Sequence, residues 1–291
     1  MVSATLVTSA CSSPGAGDTS AASGGAIAVV ASTDVWGSVA KAIGGGAVEV
    51  TSIIHNPAED PHDYQTSARD TAAIKRAQLT VANGDGYDEF FTKAAAGRAE
   101  NTSVVAFSLS SVPHTPEANE HFFYDLPTVR KVAEKIATDL GRLRPAAAAA
   151  FTAHARTFDA KLQALQAKAK QIGVAHPGKR VVVTEPVAGY LLHTAGVPDV
   201  TPKEFSGAVE KGTGIPAAAL AQMSGLIERN MVNALINNAQ AETAVTTKLQ
   251  GAAARAGIPV VNVTETLPKG SKGYIPWMSK QINDLSGALS R

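Results

Sequence analysis

Residues 145–172 read PAAAAAFTAHARTFDAKLQALQAKAKQI, and this stretch organises the rest of the chain. After Pro145 it contains neither Gly nor Pro, and Ala, Lys and Gln dominate it. Phe151, Phe158, Leu162 and Leu165 recur at helical spacing. A helix of about 27 residues spans roughly 40 Å. That is longer than a usual crossover inside one domain, and it suits a rigid bar between two lobes.

On either side of the bar, short apolar runs alternate with helical patterns. Before it, strands are expected at 27–32, 48–54, 79–82 and 103–107. Helices are expected from Asp34 through Ile43, with Asp34 as the cap, at 68–77, and from Pro127 to about Leu140. After it, strands are expected at 180–184, 232–236 and 259–263, with helices at 188–195, 217–228, 242–256 and 273–289. Strands that alternate with helices imply parallel sheets covered on both faces. The fold class is therefore α/β: two lobes with mainly parallel sheets flanked by helices, joined by one long rigid linker helix. The expected divisions are 27–143 for the first lobe, 144–175 for the linker helix and 176–291 for the second lobe. Ligands of such sheets bind beyond the carboxyl ends of the strands, here in the cleft between the lobes.

Composition narrows the function. Of 291 residues, 45% are apolar and 18% charged, enough for a sizeable core. Lys and Arg number 26 against 25 Asp and Glu, so the basic excess of a phosphate-neutralising nucleic-acid binder is missing. One cysteine, Cys11, rules out a disulfide framework and a Cys-based zinc cluster. Residues 1–26 form a separate segment. Ser9-Ala10-Cys11 resembles the end of a lipobox with Cys11 as the lipidated residue, and a Ser, Gly and Ala-rich tether follows. Thr8 stands where Leu is usual, and the charged region that opens such signals is missing, so the natural start is expected upstream.

Four segments carry chemistry. Asp60-Pro61-His62-Asp63-Tyr64 follows the second strand and sets His62 among carboxylates. Asn119-Glu120-His121-Phe122-Phe123-Tyr124-Asp125 precedes the helix at Pro127. Glu185 ends an apolar strand, in Thr184-Glu185-Pro186. Glu265 follows the last strand, in Val263-Thr264-Glu265-Thr266-Leu267-Pro268. Each has an ordinary structural explanation: a solvated loop histidine, a core histidine, an acid near a helix start, an acid in a turn. Together they differ, because each stands at a strand end, with imidazoles in the first half and carboxylates in the second. If the lobes face each other, the four meet across the cleft. Such a set suits a divalent transition metal, whose charge the two acids offset.

These segments, in order and with the long helix between the second and third, resemble the metal-binding solute receptors of bacterial zinc/manganese ABC importers (cluster A-I type). Asp60-Pro61-His62-x-Tyr64 with Asp70 and Ile74, Asn83-Gly84, Asn119-x-His121 with Tyr124-Asp125-x-Pro127, Thr184-Glu185 with Gly189-Tyr190, and Thr264-Glu265-Thr266-Leu267-Pro268 carry the likeness from Ala26 to Leu289. The resemblance implies His62, His121, Glu185 and Glu265 as metal ligands. Asp60 and Asp125 would orient them without touching the ion. It also implies a lipid anchor on Cys11, a place in the cell envelope, and delivery of Zn2+ or Mn2+ to an ABC permease and its ATPase by a monomer. Glu185 stands where zinc receptors often have His, Glu265 where Asp is common, and the loop 108–118 holds one histidine, His114. Oxygen donors suit manganese, whereas the Irving–Williams order favours zinc, and both stay open. His55 is an extra histidine without an assigned role. The rival readings are a metal-dependent hydrolase, which would need an open coordination position and lacks His-Glu-x-x-His, and a surface lipoprotein acting as an adhesin or organic-solute receptor.

Overall fold

The computed structural model describes Met1 and residues 25–99, 102–113, 115 and 118–291. Cys11, the tether and His114 lie outside the described residues. The first half builds β1 (Ile27–Thr33), α1 (Asp34–Gly44), β2 (Val48–Ile54), α2 (Ala68–Arg76), β3 (Leu79–Ala82), α3 (Glu89–Ala94), β4 (Ser103–Val105), α4 (Ala106–Leu109) and α5 (Leu126–Leu143). Next comes α6 (Ala148–Ala175). The second half builds β5 (Val181–Val183), α7 (Gly189–Ala195), α8 (Lys203–Glu210), α9 (Ala217–Glu228), β6 (Ala234–Asn238), α10 (Ala244–Arg255), β7 (Val260–Val263) and α11 (Tyr274–Leu289).

Both sheets are parallel, in the orders β2-β1-β3-β4 and β5-β6-β7. Parallel strands need crossovers, and the α-helices between them cover both faces. Val30, Ile53, Ile74 and Phe91 pack on one face of the first sheet, beneath α2 and α3. Val182, Phe205, Met223, Leu235 and Leu249 do the same for the second, beneath α8, α9 and α10. The opposite faces of the two sheets share one continuous core that runs from Ile27 to Leu289.

Helix α6 is 28 residues long, about 42 Å. Phe151, Ala155, Phe158, Leu162, Leu165, Ala169 and Ile172 form its buried stripe, alternating by four and three residues. That spacing keeps one face against α1, α5, α7 and α11, elements from both halves of the chain. The stretch does not begin as α-helix: Pro145–Ala147 form a tight 3-10 turn first. None of the helices among the described residues is long and apolar enough to cross a membrane.

Three local expectations are corrected. The strand expected over 103–107 stops at Val105, and Ala106 starts the short α4. Strand β6 lies two residues later than 232–236 and ends on Asn237-Asn238. Asp34 is the first residue of α1 and does not cap it; its Oδ1 accepts the Leu267 N–H at 3.0 Å, from the other half of the molecule. Helices α3 and α8 were not anticipated, being short and flanked by loops.

Candidate metal centre

The carboxyl ends of both sheets open onto one cleft, a cavity of about 910 Å³ lined by Asp60, His62, Glu120, Glu185, Glu210 and Lys211, among others. His62 sits in the loop after β2. The Asp60 Oδ1 shapes that turn by accepting the His62 N–H at 2.8 Å. His121 lies between α4 and α5 and is 1% exposed. Its Nδ1 faces the Asn119 Oδ1 at 2.7 Å. A carbonyl oxygen can only accept, so Nδ1 carries a proton, and in the neutral ring the Nε2 lone pair is left for a cation. Asn119 is itself fixed across the cleft: its Nδ2 donates to the Pro186 carbonyl at 2.7 Å, and Tyr190 donates its hydroxyl to the Asn119 carbonyl. Gly189 permits this approach, since a Cβ there would stand 2.7 Å from the Asn119 amide nitrogen.

Glu185 follows β5 and Glu265 follows β7; both are buried. His62, His121 and Glu265 each place one donor atom within 4.8 Å of the other two. Between His121 Nε2 and Glu265 Oε2 the distance is 3.7 Å. That is too long for a hydrogen bond. It is close to the roughly 3.4 Å that separates two donors each about 2.1 Å from one tetrahedral ion. Glu265 Oε2 is buried and has no hydrogen-bond partner. Glu185 stands outside the trio and meets Glu265 through Asn238, whose Nδ2 donates to Glu185 Oε2 and, at 2.7 Å, to Glu265 Oε1. Asp125 caps α5 through the Thr128 N–H at 3.1 Å, which gives that carboxylate a structural task. His55 Nδ1 faces the Ile53 carbonyl at 3.1 Å and is not among the converging donors.

Several participants are not among the expected ligands. Glu120 Oε1 lies 3.6 Å from His62 Nε2, and Glu210 Oε1 lies 3.9 Å from His121 Nδ1. Gln240 clamps the turn of Glu265: its Oε1 accepts the Glu265 and Thr266 N–H groups at 2.5 and 2.9 Å. Its Nε2 donates across the cleft to the Pro57 carbonyl at 2.6 Å. Tyr87 packs edge-on to His62 and His121, with Phe123 behind it. Burial, and next the charge of Glu265, push the Tyr87 phenol well above its ordinary value.

Electrostatics are set by burial and by these acids. Burial pushes Glu185 up to about 7, the Asn238 hydrogen bond countering in part. Burial likewise pushes Asp34 up to about 6, against the Leu267 N–H. Burial also disfavours the charged forms of His121 and Glu265. Their mutual attraction outweighs it, leaving His121 above and Glu265 below the ordinary values. A carboxyl with a raised folded value stabilises the fold fully below its unfolded value and loses that contribution as pH rises through the folded one. For Glu185 the loss runs from 4.5 to about 7, and for Asp34 from 3.8 to about 6. His121 has the same sign, its contribution fading as pH climbs from 6.5 through its raised value. Metal-free protein is therefore expected to melt at a higher temperature at pH 5.5 than at pH 7.5, and metal-loaded protein at a lower one. Melts in chelator that rise from the acid to the neutral buffer would refute this account of the site.

Two parallel α/β sheets whose carboxyl ends bring imidazoles and carboxylates into a shared cleft define a class of protein, a two-lobed binding protein with a cation-type site. Residues 29–288 match the family described as "ZnuA: Zinc-uptake complex component A periplasmic", and the chain belongs to it. It is 27% identical over 248 residues to the iron ABC transporter substrate-binding lipoprotein MtsA of Streptococcus pyogenes serotype M1, covering 76% of this chain and 79% of that one. It is 29% identical over 160 residues to the manganese-binding lipoprotein MntA of Halalkalibacterium halodurans, about half of each chain. The fold matches the periplasmic zinc-binding protein TroA of Treponema pallidum with a TM-score of 0.75 at 18% identity, covering 92% of this chain and all of the other. The protein is a substrate-binding component of metal uptake and not an enzyme, which sets aside the hydrolase reading.

Proposed function

We propose that this protein captures a divalent transition metal, zinc or manganese, in the cleft and hands it to an ABC permease and its ATPase on the outer side of the membrane. His62, His121, Glu185 and Glu265 are the ligands. Residues 27–143 and 176–291 act as lobes, and residues 144–175 as the bar between them. Capture works as a monomer, held at the membrane by a lipid on Cys11, as the lipoprotein relatives suggest.

One observation supports this above the others. Glu265 Oε2 is a buried acceptor without a hydrogen-bond partner, at donor-pair distance from the Nε2 of a buried histidine. An unpartnered buried carboxylate oxygen is costly, and a cation removes that cost. Among the described residues, several hydrogen bonds already cross the cleft or its hinge. They include Asp34 to Leu267, Gln240 to Pro57, Asn119 to Pro186, and Tyr124 to the Thr264 carbonyl at 2.9 Å. Lobe movement is accordingly small, and release needs the transporter to loosen one side.

Chelator-stripped protein should bind one Zn2+ or Mn2+ per chain. An ion that binds only the folded state adds about 2.7 kcal/mol when free metal is 100 times Kd. For a chain of this length that corresponds to a rise of roughly 5–10 °C in Tm. No shift with either ion would overturn the assignment.

A further inference from the structure

Between the two acids lies Asn238, the last residue of β6, 1% exposed. Its amide is locked in orientation: Oδ1 accepts the Gln240 N–H at 3.1 Å, and the backbone N–H donates to Thr184 Oγ1 at 2.9 Å. The NH2 end therefore faces the carboxylates and spends both hydrogens on them, one on Glu185 Oε2 and one on Glu265 Oε1. A flipped amide would set its oxygen against two carboxylates. Each acid is left with one oxygen free of this amide, and in Glu265 that oxygen is the unpartnered Oε2 beside His121.

We propose that Asn238 is a positioning residue that selects the ion by coordination number: holding one oxygen of each carboxylate, it limits Glu185 and Glu265 to a single bond apiece to the cation. This rests on the reading of both acids as ligands. With His62 and His121 the centre then offers four donors, the number zinc takes in a closed tetrahedral site. Freed from the amide, two carboxylates can chelate through both oxygens. The same side chains then supply up to six donors, the number manganese favours. Nothing in the identity of the four ligands discriminates between these outcomes; the shared amide does. Its location fits this role better than a packing role. It ends a strand whose first three positions, Ala234, Leu235 and Ile236, are apolar; its buried neighbour Asn237 bonds Glu242 and Asn262 instead, and the Asn238 NH2 group alone of the two amides reaches both acids.

The test uses the full chain, stripped with chelator. In the wild type, X-ray absorption of the Zn2+ form should show four nitrogen or oxygen neighbours, and the Co2+ form the intense visible band of a four-coordinate ion. Asn238→Leu fills similar space without a donor, and Asn238→Ala removes it. In either variant the ratio of zinc to manganese affinity, measured by competition, should fall about tenfold or more. The Co2+ band should weaken as the coordination number rises. A wild-type shell of five or six neighbours overturns the proposal even if neither variant folds. So does a variant in which both affinities fall together while ratio and Co2+ spectrum stay unchanged, because that is the result of a merely structural residue. Failure of the wild type to bind Zn2+ or Mn2+ at all overturns the ligand assignment along with this proposal, whereas a bound ion with an unchanged ratio overturns this one alone.

Discussion

Glu265→Ala is expected to lower zinc and manganese affinity by roughly two to four orders of magnitude. Removing one partner of a buried charge set costs about 3–5 kcal/mol, because the remaining partner is left buried and uncompensated. Glu265 is 6% exposed and its neighbour His121 1%, so solvent cannot take over the missing charge. The same variant should lower the His121 pKa, since attraction to Glu265 is what holds that imidazole above its ordinary value against burial. Two readouts follow: affinity by competition with a chromogenic chelator, and the His121 titration by NMR in metal-free protein. Replacement of His55, which faces its own backbone, provides the control and should leave affinity within about twofold. If Glu265→Ala binds metal within threefold of the wild type, the cation does not sit on this carboxylate.

Phe123→Ala should have the largest effect on stability. The ring is fully buried and meets Trp36, Tyr87, His121, Tyr124 and Trp277. Truncating a buried Phe costs about 3–5 kcal/mol, part lost transfer energy and part cavity. That corresponds to a fall of roughly 6–20 °C in Tm. The site should suffer as well. Phe123 backs both Tyr87 and His121, and its carbonyl accepts the Tyr274 hydroxyl of α11 at 2.7 Å, joining the two halves of the molecule. A cavity here lets the His121 ring tilt, so metal affinity should drop with stability. Met231→Ala, at a site 41% exposed, should stay within about 0.5 kcal/mol of the wild type. A Phe123→Ala protein that melts within 2 °C of the parent would show that this wall does not carry the load assigned to it.

Much of the architecture was legible from residue order. The stripe from Phe151 to Ile172 emerges as the buried face of α6, and most strands and helices lie within two residues of their expected places. The segments holding His62, His121, Glu185 and Glu265 do follow strands or precede helices at the cleft. The failures share a cause. The strand expected over 232–236 stops short of Asn237-Asn238, and Asn is depleted in strands. In the fold both residues stay in β6, because their amides are satisfied by Asn262, Glu242, Glu185 and Glu265. Asp34 reads as a cap because a cap is a local motif, whereas its actual partner is 233 residues away. Gln240 and Glu210 have no local signature at all.

Hydrophobic period, chain-breaking residues and the donor types at strand ends are properties of neighbours in the chain, so reading the residues in order was enough to expect two α/β halves, a long connecting helix and a cation among imidazoles and acids. How Asn119 is anchored beside His121, and which amide stands between the two acids, depend on groups 27 to 71 residues apart being held within about 3 Å of one another. Hydrogen bonding is short-ranged and directional, so such choices exist only once the core has closed and the two sheets face the same cleft.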